Sequence, residues 1–143
     1  MTLKNTSAFL TSIANNQLVQ FTNSVYSEVD IFTAAAADSV IRKIVVTSTD
    51  TATKLLNLYA YDGANDFLIG SFTIPITAGT DGVTPAIDLL SCSVNANSFP
   101  LDLQGNRYIS LKTGWKLRAS VAQPTTAKLI NLFVQGADYT VLS

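Results

Sequence analysis

Residues 40–74 read VIRKIVVTSTDTATKLLNLYAYDGANDFLIGSFTI, and this stretch decides the fold class. Apolar side chains recur at every second position in three runs, which is the period of a β-strand. Polar residues 48–51 separate the first two runs, Asp62-Gly63 separates the second from the third, and Pro75 ends the third. Runs of this kind bounded by turn residues predict three strands in an antiparallel meander.

The rest of the chain carries the same short runs. Residues 115–121 alternate most regularly, with Trp115 and Leu117 on an apolar face and Arg118 on the other, which predicts a strand with one wet face. Residues 128–134 are apolar on both faces except at Asn131 and therefore predict a strand in a central or doubly covered position. We predict an all-β fold, a single-domain antiparallel β-sandwich or jelly roll of seven to nine strands over residues 18–143.

Residues 1–17 differ from this pattern and are predicted to form a short N-terminal arm or a short helix. Ser7 is suited to cap a helix that carries Phe9, Leu10 and Ile13 on one side. Such a helix is too short to be stable alone, so its apolar residues need a surface to pack on. That surface belongs either to this domain or to a partner, and the sequence leaves both alternatives open.

Charge is scarce in this sequence. Charged residues make up 13% of the chain, against roughly 25% in ordinary soluble domains. Nine basic and ten acidic residues are scattered and give a net charge of −1, so the clustered basic stripe of a nucleic-acid-binding protein is missing. We predict no nucleic acid partner. A surface so poor in charge is weakly defended against association, which favours a surface covered by other subunits.

No membrane or secretory segment is predicted. No run approaches the roughly 18 apolar residues that a membrane-spanning helix needs, and residues 1–6 lack the apolar core of a secretory signal. The single cysteine, Cys92, cannot form an internal disulfide. These features fit production in the cytoplasm.

The inventory of catalytic groups is thin. The sequence has no histidine, which excludes Ser–His and Cys–His nucleophile pairs as well as zinc sites built from cysteine and histidine. Glycine-rich phosphate loops are absent too. Glu28 and Asp30 lie two residues apart and suit a cation or a glycoside, but a solvated strand edge is the favoured interpretation. Three loop aspartates offer a weak calcium motif: Asp62, Asp66 and Asp81. We predict no enzyme activity, no cofactor and no metal.

Leu55, Tyr59 and Tyr61 share one face of the second run in residues 40–74. The mixture of leucine and tyrosine on that face is typical of a covered surface. Burying one tyrosine side chain fully contributes on the order of 2 kcal/mol to the free energy of folding or binding. It suits the core or a protein interface as well as a sugar-binding site. The predicted partner-binding residues are these three and the three apolar residues of the N-terminal segment: Phe9, Leu10, Ile13, Leu55, Tyr59 and Tyr61.

Several segments of turns and strands carry a family resemblance. They are IVVTSTDTA (44–52), IP (74–75), GTDG (79–82), PAIDLL (85–90), PLD (100–102), GNRYI (105–109) and FVQGADY (133–139). With these segments, residues 29–139 resemble the head decoration, or cement, proteins of tailed bacteriophages. Arg107 stands where the family pattern often has proline, and the first 28 residues lie outside the resemblance.

The resemblance implies a structural virion protein on the capsid surface. Such a protein stabilises a phage head by binding between major capsid subunits, as a homo-oligomer in which a trimer is favoured, and it has no catalytic residues. The alternative is a β-sandwich module of a tail fibre that binds a carbohydrate or a receptor. That alternative predicts a shallow site with exposed tyrosine or tryptophan side chains.

Overall fold

The computed structural model describes residues 9–92 and 94–142, and this part of the chain contains nine β-strands. They are β1 (Phe9–Phe21), β2 (Val29–Thr33), β3 (Ser39–Ser48), β4 (Lys54–Tyr61), β5 (Asp66–Ile74), β6 (Ile87–Asp88), β7 (Ile109–Leu111), β8 (Lys116–Val121) and β9 (Ile130–Leu142). Two 3₁₀ helices of three residues each, Leu89–Ser91 and Ala96–Ser98, complete the described elements. Neither they nor any other helix in the described residues has the length and hydropathy needed to cross a membrane.

The strands form two antiparallel sheets. Sheet A has the order β1-β9-β3-β6, with β7 also paired to β3, and sheet B has the order β2-β8-β4-β5. The pairs nest along the chain: β1 with β9, β2 with β8, β3 with β6 and β7, and β4 with β5. This is one long hairpin rolled into two layers, which is the topology of a jelly roll. The predicted fold class is confirmed.

The predicted meander is wrong in one respect, because β3 does not pair with β4. Residues 49–53 carry the chain from sheet A to sheet B, and the long partner of β3 is β9. The second predicted turn is correct, since Asp62-Gly63 joins β4 and β5 in a hairpin. Gly63 has φ +99° there, a conformation that glycine adopts without steric cost. Alternation in the sequence identified these strands, and the turn residues identified the pairing of β4 with β5 but not the partners of β3.

The core lies between the two sheets and is built from alternate residues of the strands. In β8, Leu117, Ala119 and Val121 are buried, while Arg118 lies on the wet face as predicted. Trp115 was predicted on the apolar face, but it precedes the first residue of β8 and is 37% exposed. The largest fully buried side chains are Phe21, Phe32, Phe72, Ile31, Ile41, Ile44, Leu56, Leu58, Ile74, Leu89, Leu90 and Leu117.

Strand β9 lies between β1 and β3, which confirms the central strand predicted from residues 128–134. Ile130, Leu132 and Val134 are buried against sheet B. The strand continues to Leu142, well beyond the predicted segment, and this extension pairs with the first half of β1.

The helix predicted for the N-terminal segment is wrong for residues 9–16, which belong to β1. The predicted boundary between residues 17 and 18 therefore falls inside a continuous strand. The physical reason is the extension of β9, which supplies a ladder of main-chain partners from Phe9↔Leu142 to Phe21↔Ile130. A helix of one or two turns gains too little on its own to compete with such a ladder. Residues 1–8 lie outside the described part of the chain.

Gly136 marks a close approach between β9, β3 and β2. A Cβ atom at this position would lie 2.6 Å from the carbonyl oxygen of Val40 and 2.9 Å from Cε2 of Phe32. The neighbouring β3 shifts its register between Ile41 and Lys43, directly beside this site. Only a residue without a side chain lets the main chain of β3 and the Phe32 ring pack this closely.

We expect Gly136→Ala to lower the free energy of unfolding by about 1–3 kcal/mol, because the added methyl group meets main-chain atoms that cannot rotate away. Chemical denaturation measures the change. Ala137→Ser, on the next residue of the same strand, is the control and should leave stability within about 0.5 kcal/mol of the parent. Equal stability of Gly136→Ala and the parent would contradict the packing described here.

Asp50 fixes the crossing from sheet A to sheet B. Its side chain is fully buried and accepts hydrogen bonds from the Thr125 main-chain N–H (2.7 Å), the Thr125 hydroxyl (2.9 Å) and the Ala52 N–H (3.0 Å). The Lys54 ammonium lies 3.9 Å away. Burial by itself raises the pKa of Asp50, but these hydrogen bonds and the lysine charge outweigh it, so the pKa falls below the ordinary value of 3.8.

Because the folded state holds Asp50 with a lowered pKa, this carboxylate stabilises the fold above about pH 4, and the contribution is lost as the pH falls through the folded-state pKa. We expect Asp50→Asn to lower the free energy of unfolding at pH 7 by about 1.5–3 kcal/mol. The variant should also lose stability less steeply between pH 4 and pH 2 than the parent. Thermal unfolding across this range tests the prediction, and parallel acid profiles would refute it.

Candidate interaction surfaces

A metal site in this chain would have to be built mainly from acidic side chains, because the sequence contains no histidine. In residues 9–92 and 94–142, no three cysteine or acidic side chains form a group suited to holding a metal ion. Asp62 and Asp81 are each engaged by their own loops. Asp62 accepts main-chain N–H groups of residues 64 and 65, and Asp81 accepts those of residues 83 and 84. These bonds lower the pKa of both carboxyls. The three loop aspartates of the calcium hypothesis are thus not brought together as ligands.

The outer face of sheet B, here called the β4 face, carries Leu55, Tyr59 and Tyr61 in one line along β4. Leu55 is 47% exposed and the two tyrosines are half-buried, while Leu56 and Leu58 between them are buried in the core. The geometry predicted from the alternation is therefore confirmed for these three residues. The line is interrupted by Asn57, whose side chain accepts a hydrogen bond from the Ser71 hydroxyl at 2.6 Å, and it lies beside charged side chains of β2 and β8.

Arg118 in β8 organises the charged part of the β4 face. Its Nε donates to Asp30 at 2.7 Å, and its Nη1 lies 3.7 Å from Glu28 Oε1 and 3.5 Å from Asp66 Oδ1. The guanidinium carbon also lies 3.7 Å from the ring centre of Tyr61, a cation–π contact. Glu28 and Asp30, which the sequence offered as a carboxylate pair, are thus drawn into ion pairs with one arginine.

The pKa values of Glu28 and Asp30, two carboxyls beside Arg118, are shifted in opposite directions. Hydrogen bonding with the Asp66 carboxyl raises the pKa of Glu28, and partial burial and the Asp66 charge add to this effect. Partial burial also raises the pKa of Asp30, but hydrogen bonds from Lys116 and Arg118 outweigh it, so that pKa is lowered. The hydrogen bond to Asp30 in turn raises the pKa of Arg118. The charges compensate one another within the face, as expected for a structural network.

The N-terminal candidates lie on the other sheet, because Phe9, Leu10 and Ile13 belong to β1 at the edge of sheet A. The side chains of Phe9 and Leu10 lie outside the described part of the chain. Ile13 is 59% exposed and pairs with Asp138 of β9. Asp138 pairs on its other side with Ser39, the first residue of β3. The six predicted partner-binding residues therefore fall on two sheets and do not form one site.

A second apolar strip, missed in the sequence, lies on the outer face of sheet A. Leu18 of β1 is 80% exposed and stands directly opposite Phe133 of β9, which is 40% exposed. Both side chains point away from the core, because those of the adjacent residues Val19 and Val134 point toward it and side chains alternate along a strand. The alternation around Phe133 in the sequence is enough to predict that its side chain points outward. Its position opposite Leu18 could not be predicted, because it depends on the pairing of β1 with β9.

A polar cleft of about 450 Å³ opens between β3 and the loops that follow β6. It is lined by charged side chains that include Arg42, Lys43 and Arg107, together with Asp88 and Asp102. Asp88 accepts hydrogen bonds from the Leu90 N–H and the Ser91 hydroxyl. Asp102 accepts hydrogen bonds from the main-chain N–H groups of Gln104 and Asn106, within the turn that these residues form. The lining is polar where small-molecule pockets are mainly apolar, so the cleft suits a charged contact better than a buried organic ligand.

No family model matches this chain, and no curated protein matches it. Among solved structures, one similar chain belongs to the structure of infectious bursal disease virus Gt strain, at 11% sequence identity and a TM-score of 0.33. The match covers 94% of this chain and 33% of that chain, so this protein spans about a third of the length of its neighbour. A likeness at this level carries no statement about function, and the jelly-roll assignment stands on the strand order described above.

We expect Arg118→Gln to lower stability only slightly, because the ion pairs are partly exposed and screened by solvent. The loss should shrink in 1 M salt, and the pKa of Asp30 should rise toward its ordinary value when followed by NMR titration. Lys128→Gln, outside this network, is the matched control and should leave the Asp30 titration unchanged. An unchanged pKa of Asp30 in Arg118→Gln would contradict the network.

Proposed function

We propose that this chain is a structural, non-enzymatic virion protein that decorates a tailed-phage head, where it binds between major capsid subunits as a homo-oligomer. An assembly role is supported chiefly by one observation. Strands β1 and β9 expose apolar side chains on a ribbon whose only charged residue is Asp138, and the outer edge of this ribbon is unpaired among the described residues. The assignment to a phage head rests on the sequence resemblance to decoration proteins.

The scarcity of charge extends this support over the rest of the surface. Five of the charged residues compensate one another around Arg118, and the β4 face beyond them presents Leu55 and Tyr59. Partly exposed aromatic and apolar side chains beside a polar rim are typical of protein interfaces. We propose that the β4 face, with Leu55, Tyr59 and Tyr61, contacts the capsid.

Retention on a capsid then follows from multivalency. One such face supplies a modest apolar contact, but an oligomer carries several copies of it to a lattice whose sites repeat at fixed spacing. Once the first face binds, the others bind at a high effective concentration, so that avidity exceeds the affinity of a single face. A protein with few charges and no catalytic machinery is sufficient for this task.

The alternative, a carbohydrate- or receptor-binding module of a tail fibre, is compatible with the fold, because jelly rolls occur in lectins as well as in capsids. It needs aromatic rings that are free to stack on a sugar. The ring of Tyr61 is covered by Arg118 at 3.7 Å, which weakens its case as a sugar platform. A glycan array with this protein separates the two proposals, since the decoration role predicts no glycan hit.

The decoration proposal is tested by sedimenting the purified protein with phage heads that lack it. We expect the parent protein to bind the heads with saturable stoichiometry and to raise their disruption temperature. Leu55→Ser combined with Tyr59→Ser should weaken retention about tenfold or more, because truncating central interface residues commonly costs more than about 1 kcal/mol each. Failure of the parent protein to bind the heads would overturn the proposal.

Val83→Ser is the matched control for the double variant. Val83 is an exposed apolar residue in the loop between β5 and β6, away from the β4 face. Its replacement should leave both folding and retention unchanged. Equal retention of the control and the double variant would show that the β4 face is not the capsid contact.

A further inference from the structure

Most sheet edges in the described residues are protected against pairing with another chain. Strand β2 has only five residues and a register shift beside Asp30, which is itself bound by Arg118. The pairing of β5 with β4 contains a register shift, and the Asn95 amide donates to the Ser71 carbonyl at 2.6 Å on this strand. Strands β6 and β7 have two and three residues. Short length, bulges, charge and covering segments are the usual means of blunting a sheet edge.

Strand β1 uses none of these means. Its 13 residues, FLTSIANNQLVQF, contain no charged residue, no proline and no glycine. Its register with β9 runs without a shift from Phe9↔Leu142 to Phe21↔Ile130. At about 3.3 Å per residue the strand is about 43 Å long. In residues 9–92 and 94–142 it has a strand neighbour on one side only.

The main-chain groups that face this open edge can be assigned from one hydrogen bond. The Tyr139 N–H donates to the Asp38 carbonyl at 2.9 Å, on the β3 side of β9. Since Tyr139 stands opposite Ser12, the main-chain groups of Ser12 point away from β9. The same holds for every second residue of β1. The residues that present N–H and C=O groups to the open edge are Ser12, Ala14, Asn16, Leu18 and Gln20.

We propose that β1 pairs with β1 of a second copy of this chain, antiparallel about a two-fold axis at Asn15, so that the two A sheets form one continuous sheet. This deepens the homo-oligomer part of the proposed function and does not depend on the capsid. Length identifies the occupant, because no other edge strand in the described residues exceeds nine residues. Among the edge strands of the described residues, β1 alone is long enough to pair with the whole open edge of another β1.

Charge and symmetry support the same occupant. A strand without charges pairs with its own copy without like-charge repulsion, which is a condition that few natural edges meet. With the axis at Asn15, Ala14 stands opposite Asn16 of the second copy, and Ser12 stands opposite Leu18. Each chain has one such edge, so the pairing closes after two copies. The unit is therefore a dimer and differs from the trimer that the family resemblance implies.

The experiment introduces charges into the centre of the edge. Ala14→Lys/Asn16→Lys places lysines opposite each other across the axis, and Ala14→Glu/Asn16→Glu does the same with carboxylates. Both sites are exposed, so the variants should fold, as circular dichroism will show. We expect the parent to be a dimer by light scattering, and each variant alone to dissociate with a dissociation constant raised at least tenfold.

Mixing the two charged variants provides the decisive comparison. Opposite charges then face each other, so the mixture should form a one-to-one heterodimer with restored affinity. The matched control is Thr73→Lys/Val83→Lys, at two exposed positions outside sheet A, which should leave the dimer intact. A monomeric parent, a trimer, or a dimer indifferent to these charges would overturn the proposal. A monomer in solution that still binds heads would overturn the β1 pairing and leave capsid binding, the other part of the proposed function, standing.

Discussion

The ladder between β1 and β9 is the interaction on which the rest of the structure depends. It joins the first described strand to the last and thereby closes the nested pairs of the jelly roll. It also places β9 in the centre of sheet A, where Ile130, Leu132 and Val134 reach the core. The same ladder leaves the other edge of β1 without a strand neighbour among the described residues. Closure of the fold and the unpaired edge of β1 thus have one physical cause.

Strand formation was predictable because it is a local property. Alternation at residues 115–121, the two-sided apolar run at 128–134 and the Asp62-Gly63 turn each identified an element that the structure contains. The fold class followed from the number and spacing of such runs. The shared face of Leu55, Tyr59 and Tyr61 followed from the same period of two.

Apart from the β4–β5 hairpin, strand partners were not predictable from local pattern. The crossing at residues 49–53 looks like a hairpin turn in the sequence, but the buried carboxylate of Asp50 ties it to Thr125, 75 residues away along the chain. Residues 9–16 look helical until the extension of β9 is known. The ion pairs of Arg118 likewise bring together residues from β2, β5 and β8. Each of these features depends on contacts between segments that are far apart in the sequence. Local periodicity carries no information about such contacts.

The central claim is that the open edge of β1 is a pairing surface, and amide hydrogen exchange resolved by residue tests it most directly. Amides that bond to β9 alternate along β1 with amides that face the open edge. We predict that the edge-facing amides of Ser12, Ala14, Asn16, Leu18 and Gln20 exchange slowly in concentrated protein and lose this protection on dilution. Exchange of these five amides at the rate of unprotected peptide, at every concentration, would contradict the account.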